Sequence, residues 1–124
     1  HNEIELRRVL RETRSAIDAF HQDWKQQKFS HDSARVSDNG YPVSLEVLVH
    51  GMDGNGAEGK ILRYLRVFPR NPFLNSGGLS VDNQWTLFGY EDRPDALIWN
   101  GEDVYDLRAN SERIALDGSK IAEW

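Results

Sequence analysis

The sequence contains no cysteine, one methionine and four prolines in 124 residues. The missing thiols exclude disulfides, thiolate metal sites and cysteine nucleophiles, although they do not fix the cellular compartment. No window approaches about 18 consecutive apolar residues, so the given stretch contains no membrane-spanning helix. No Gly-x-Ser-x-Gly elbow or phosphate-binding loop occurs, and Ser, His and Asp are too scattered to define a catalytic triad. We therefore expect a domain that is not an enzyme.

An excess of positive charge is also lacking. The net charge is −5, which argues against a nucleic acid bound through its phosphates. Residues 1–28 carry six Lys/Arg and five Asp/Glu, whereas residues 29–124 carry nine and fifteen. An ordinary solvated surface is the more common explanation of such an asymmetry, and charge steering between copies of the chain is the alternative.

One long amphipathic helix is the clearest positive signal. Apolar or small side chains recur in steps of three and four at Leu6, Leu10, Thr13, Ile17, Phe20 and Trp24. This spacing predicts one helix from Glu3 to Lys28, roughly 35 to 40 Å long, which exceeds the usual helix length. His1 reads as a remnant of an expression tag, and the abrupt start predicts a helix truncated at its N-terminal end. We expect its C-terminal half to pack on a sheet and its N-terminal half to project.

The remaining chain predicts a small head. Turn residues precede Pro42, Ser44 caps a short helix over 45–50, and Gly51 ends it. Loops are expected at 52–60 and 74–84, an extended Pro-containing segment at 69–73, β-strands at 85–90 and 104–107, and a mostly irregular tail at 108–124. The prediction is a single α+β domain over 1–124, with a helical stalk (1–28) and a globular head (29–124).

The order of these elements resembles the major pseudopilin of type II secretion systems, a member of the type IV pilin-like superfamily. The resemblance depends on LRRVLRETRSAIDAFHQDW, on the Gly40-Tyr41-Pro42 turn, on the Phe-Pro-x-x-Pro-Phe segment at 68–73, and on the closing Asp-Val-Tyr and Ile-x-x-Trp. It covers nearly the whole chain.

The resemblance implies a pilin-like fold and the role of a filament subunit. It implies a precursor with a methylated, apolar N-terminal segment of about 20 residues that spans the inner membrane of a Gram-negative bacterium before assembly. It also implies that the present residues lie in the periplasm, and that the partners are copies of the chain, other pseudopilins and the inner-membrane secretion platform. A minor pseudopilin or a type IV pilin subunit is the alternative within this fold.

In such a filament, the start of the helix lies against neighbouring subunits. The residues expected in this subunit contact are Leu6, Leu10, Arg7 and Arg11. The two arginines would meet acidic residues on the head of another copy, with Arg8 and Arg14 as a comparison on other parts of the helix surface.

Calcium is the one cofactor that the resemblance raises. The family binds it with two aspartates in an Asp-Ala-Asp-Ile-x-x-Trp run, but here those positions are Gly118 and Lys120. Only Asp117, Asn110 and Glu112 remain to supply side-chain oxygens, whereas calcium takes six to eight oxygen ligands. We therefore expect no metal, and we expect the Lys120 ammonium to take the place of the ion.

Two other interpretations are a metal site elsewhere in the chain and a sugar-binding site. The run 53–56 resembles the start of a calcium loop but lacks the later EF-hand residues, and the histidines at 21, 31 and 50 lack metal-ligand spacing. Four tryptophans raise a carbohydrate-binding module as the alternative of another class. Core packing explains Trp24, Trp85 and Trp124, so Trp99 is the residue whose exposure distinguishes the two.

Overall fold

The structure, a computed structural model, describes residues 2–56, 59–74 and 82–124. These residues form two α-helices and four short strands: α1 (Asn2–Lys25), α2 (Leu45–His50), β1 (Met52–Asp53), β2 (Ile61–Leu62), β3 (Trp85–Phe88) and β4 (Asp106–Ala109). The strands make two antiparallel pairs, β1 with β2 and β3 with β4. The α+β class is therefore confirmed. The interpretation of His1 and most of the predicted 74–84 loop fall outside the described residues.

Helix α1 forms because no Gly or Pro interrupts its apolar stripe, and acidic side chains at Glu3 and Glu5 suit its first turn. It ends three residues before the predicted end. Gln27 adopts a left-handed φ of 56°, and Asn55 closes the terminus, its backbone N–H donating to the Lys28 carbonyl at 2.8 Å. The Asn55 side-chain amide also donates to the Gln27 carbonyl at 2.8 Å. A loop distant in sequence thus sets the end of the helix.

Helix α2 has the predicted bounds, although Ser44 makes no side-chain capping bond. Gly51, with φ of 87°, ends it and donates its N–H to the Val47 carbonyl at 2.7 Å. The predicted loop at 52–60 is wrong at its start, because β1 pairs there with β2 and places Met52 opposite Leu62.

The β3–β4 pair matches the two predicted strands with shifted bounds. Its register places Trp85 opposite Ala109 and Phe88 opposite Asp106. The first strand stops before Gly89, whose N–H donates to the Asp92 carboxylate at 2.8 Å instead of to a partner strand. The tail is more ordered than predicted, since β4 continues to Ala109 and a 3-10 turn follows at Ile121–Glu123.

The core lies between α1, α2 and the β3–β4 pair. Its fully buried side chains include Leu6, Ile17, Phe20, Phe29, Leu45, Leu48, Met52, Val104, Leu107 and Ile121. The turn before α2 approaches α1 closely: Gly40 has φ of 86°, and any side chain there would collide with the Trp24 ring. Among the described residues, no helix has the length and apolar character needed to cross a bilayer.

Candidate assembly surface

The N-terminal half of α1 is packed into the domain. Leu6 is 0% exposed and Leu10 is 2% exposed, and both belong to the main hydrophobic cluster. The expectation that this half projects is therefore wrong. Leu6 and Leu10, predicted as subunit contacts, instead pack against their own chain, because the C-terminal residues fold back over the start of the helix.

One flank of α1 is joined to β4 through Arg14. Its Nε donates to the Asp106 carboxylate at 2.9 Å, and its Nη2 donates to the main-chain oxygens of Leu107 and Trp124 at 2.8 and 3.0 Å. A planar guanidinium suits this arrangement, since its donors diverge in a fixed geometry. Arg14 thus holds the last strand and the chain end against the helix, and it is not available as a free surface cation.

Arg7 extends the same contact toward the C-terminal loop, which we define as residues 113–124. Its guanidinium carbon lies 3.6 Å from the centroid of the Trp124 ring, a cation–π contact. Its Nη2 also lies 4.0 Å from a carboxylate oxygen of Asp117. Arg7, predicted to face another subunit, is therefore already engaged within its own chain, with its side chain 54% exposed.

Ser119 lies at the centre of the C-terminal loop. Its N–H and its hydroxyl both donate to one oxygen of Asp117, at 2.9 and 2.6 Å, and its hydroxyl accepts the Trp124 indole N–H at 2.8 Å. The hydrogen bond from the Ser119 hydroxyl is the main reason that the pKa of Asp117 is lowered. Nearer the start of the loop, the N–H of Leu116 donates to the Glu3 carboxylate at 3.3 Å.

The three side chains named for calcium are not brought together. Asn110 donates to the Asn83 carbonyl at 3.2 Å and borders a cleft with Glu112, whereas Asp117 is bound by Ser119. The described part of the chain contains no group of three His, Asp or Glu residues that could hold a metal ion. The predicted role of Lys120 is wrong, because its exposed ammonium makes no hydrogen bond or ion pair within the described residues. Arg7 and Ser119, and not Lys120, contact the Asp117 carboxylate.

The opposite flank of α1 faces the segment 64–70. The Tyr64 hydroxyl donates to the Asp23 carboxylate at 2.8 Å, and burial, followed by this hydrogen bond, raises the pKa of Tyr64. Between helix and segment lies a groove of about 820 Å³, which we call the α1 groove. It is lined by Arg8, Arg11, Glu12, Ser15, Ala16, Ala19, Tyr64, Leu65, Arg66 and Val67.

Some charged side chains of the α1 groove have an ion-pair partner and others do not. Arg8 donates to the carboxylate of Glu12 at 2.6 Å and also to that of Glu5, and its hydrogen bond is the main cause of the lowered pKa of Glu5. Arg11 and Arg66 are exposed and have no ion pair or side-chain hydrogen bond within the described residues. The groove therefore presents two uncompensated cations beside an apolar floor.

The aromatic side chains are mostly engaged with one another. The His21 ring stacks on Trp24 and on Tyr41, with ring centroids 5.4 and 4.3 Å away. The exposed His31 also stacks on Trp24, at 4.6 Å. Trp85 is buried, and Trp99 is half-buried with its indole N–H bonded to the Asp103 carbonyl at 2.6 Å. Trp24, Trp85 and Trp99 thus all pack within the domain.

Sequence reasoning missed Arg14 as a structural residue and missed the α1 groove. The position of Arg14 beside the apolar stripe of α1 was the available signal, since a cation at that edge lies close to whatever covers the stripe. No local pattern links residues 64–70 to α1. Comparison of the chain with protein-family models, with curated proteins and with solved structures finds no match.

Proposed function

We propose that this chain is the periplasmic part of a pseudopilin and has a pilin-like fold. Its role is to polymerise into a short filament that helps export folded proteins across the outer membrane of a Gram-negative bacterium. Its partners would be copies of itself, other pseudopilins and the inner-membrane platform, with an apolar segment ahead of α1 as the anchor before assembly. It would act without catalysis and without a resident cofactor.

The observation that carries the proposal is the position of the C-terminal loop on the first half of α1. The resemblance assigns calcium to the end of the chain, and here Arg7, Ser119 and Trp124 form a network at that place. The Arg7 guanidinium and the Ser119 hydroxyl would hold the C-terminal loop in place, as calcium does in the family that the chain resembles. The long single helix packed on a small antiparallel sheet supports the same proposal.

A minor pseudopilin or a type IV pilin subunit shares these supporting features and remains the alternative within the fold. The carbohydrate-binding module has less support, because two histidines stack on the Trp24 ring and Arg7 lies over the Trp124 ring. Sugar stacking needs an open aromatic face.

The experiment that tests the proposal uses the complete gene, tagged and expressed in its source organism. We expect a precursor with an apolar segment upstream of α1, its processing by a peptidase, its recovery in a sheared filament fraction, and loss of secretion when the gene is deleted. A matched control carries a charged residue in the middle of the apolar segment and should stay out of the filament fraction. A processed protein that never enters filaments, in cells that secrete normally without it, would overturn the proposal.

A further inference from the structure

The connection between β3 and β4 ends in an exposed apolar tip. Leu97 is 98% exposed and Ile98 is 83% exposed. The loop that carries them is fixed at its base, because the Asp92 carboxylate accepts the N–H groups of Gly89 and Asn100 at 2.8 and 3.1 Å. Two adjacent aliphatic side chains held out into solvent by a braced loop are a candidate contact surface, because a partner that covers them removes apolar area from water.

Acidic side chains surround the base of this loop. Glu91 and Glu102 share a cleft with Asp38. Within the described residues none of these three carboxylates makes an ion pair. The tip is therefore apolar at its end and negative at its base. This pattern matches the α1 groove, where Leu65 and the 73%-exposed Val67 lie beside the unpaired cations of Arg11 and Arg66.

The elements that carry the tip and the groove attach to opposite flanks of α1. The groove lies on the side where Tyr64 meets Asp23, whereas the tip belongs to the connection that ends in β4, which Arg14 joins to the other side. A chain with complementary patches on two different faces associates head to tail. Such a contact is heterologous and extends into an open chain unless its rotation happens to close a ring.

We propose that the 91–102 loop of one copy docks in the α1 groove of the next copy. Leu97 and Ile98 cover Leu65 and Val67, while Glu91 and Glu102 face the arginines of the groove. The inference rests on the proposed function, since it names the surfaces by which neighbouring filament subunits recognise each other. The contact is weak in the isolated domain and becomes strong when an anchoring helix raises the effective concentration of the two partners.

Disulfide trapping is a clean test because the chain has no cysteine. We would place Cys at the exposed groove position Ala19 and at the tip position Leu97, and oxidise the purified proteins with copper phenanthroline. The double variant should form a ladder of cross-linked multimers, and a mixture of the two single variants should form the mixed dimer. The matched control pairs Leu97→Cys with Lys120→Cys, an exposed position outside the groove. A ladder no stronger than that control overturns the docking proposal.

Charge exchange tests the orientation. Adding Arg66→Glu to the groove variant should weaken mixed-dimer formation about tenfold, because an attraction between exposed charges becomes a repulsion. Adding Glu102→Arg to the tip variant should restore it. Loss without recovery shows that these charges do not meet and overturns the orientation. If the complete protein forms filaments while no ladder appears, only the docking fails, whereas a ladder from a chain that never enters filaments refutes the filament role alone.

Discussion

The guanidinium of Arg7 lies over the Trp124 ring, with the guanidinium carbon 3.6 Å from the ring centroid. This contact joins the second turn of α1 to the last residue of the chain described. It also brings Arg7 within 4.0 Å of Asp117, so that one helical side chain lies beside both the middle and the last residue of the C-terminal loop. The loop is consequently part of the packed domain and covers the N-terminal half of the helix.

Replacing Arg7 should therefore destabilise the domain. Arg7→Ala should lower the free energy of unfolding by about 0.5 to 1 kcal/mol, the usual size of a partly exposed cation–π contact. Arg11→Ala is the matched control on the same helix and should change it by less than about 0.5 kcal/mol. Urea unfolding followed by tryptophan fluorescence measures both. Equal effects of the two substitutions would contradict the assignment of the contact.

Ser119→Ala should loosen the C-terminal loop. The substitution leaves the half-buried Trp124 N–H without its acceptor and removes a donor to Asp117, at a cost of about 1 kcal/mol. Lys120→Ala, the neighbouring change, should leave the melting temperature unaltered because the ammonium has no partner among the described residues. A chelator should also leave it unaltered. A drop with chelator that calcium reverses would show that the loop holds an ion after all.

Shortening single side chains in the N-terminal half of α1 tests whether this half is packed. Leu6→Ala should cost about 2 to 5 kcal/mol, because Leu6 is completely buried and the surrounding core cannot close the cavity. Ile4→Ala is the matched control, since Ile4 is 70% exposed and its loss should be close to neutral. Differential scanning calorimetry distinguishes the two outcomes. A nearly neutral effect of Leu6→Ala would instead support a helix whose N-terminal half projects from the domain.

Sequence patterns predicted those elements whose signals are local. The stripe from Leu6 to Trp24 fixed α1, and Gly51 fixed the end of α2. A stripe shows that one face of a helix is covered, but it does not show which chain covers it, so Leu6 was assigned to a neighbouring subunit.

The candidate surface was predicted less well than the fold for the same reason. The partners of Arg14 on β4 and of Tyr64 on α1 are distant in sequence, and no local pattern links them. The end of α1 likewise depends on Asn55, a residue from a distant loop.

Ionisation of Tyr64 should lower the stability of the domain at alkaline pH. Burial raises its pKa above the ordinary value of about 10, and the bond to Asp23 adds to the effect. The neutral phenol is thus favoured in the folded state, so its contribution is complete below pH 10 and is lost as pH rises above it. Tyr64→Phe should cost about 1 kcal/mol at neutral pH through the lost hydrogen bond, and should make the loss of stability above pH 10 shallower.

Asp23→Asn separates the two causes of this pKa shift. The substitution removes the carboxylate but leaves the Tyr64 ring buried. The pH at which the Tyr64 phenolate absorbance appears should therefore fall only part of the way toward its ordinary value. Spectrophotometric titration of the folded protein follows this change. A complete return to the ordinary pKa in Asp23→Asn would mean that burial contributes little.

The four arginines of α1 differ in availability. Arg7 is held by Trp124, Arg8 by Glu5 and Glu12, and Arg14 by Asp106. Only Arg11 lacks a partner within the described residues. Replacing both Arg7 and Arg11 with Glu would therefore mix two effects, because a glutamate at position 7 would face Asp117 and weaken the fold.

Arg11→Glu alone isolates the effect on assembly. The isolated variant should keep its melting temperature, because Arg11 makes no contact that the fold requires. In the complete protein it should reduce the amount of filament, since each exposed pair contributes only about 0 to 1 kcal/mol but recurs at every subunit. The loss should be smaller at high salt, where screening weakens both the attraction in the parent and the repulsion in the variant. Sheared filament yield and secretion, measured at two salt concentrations, check this expectation. Normal filament yield from Arg11→Glu at physiological salt would show that Arg11 only solvates the helix.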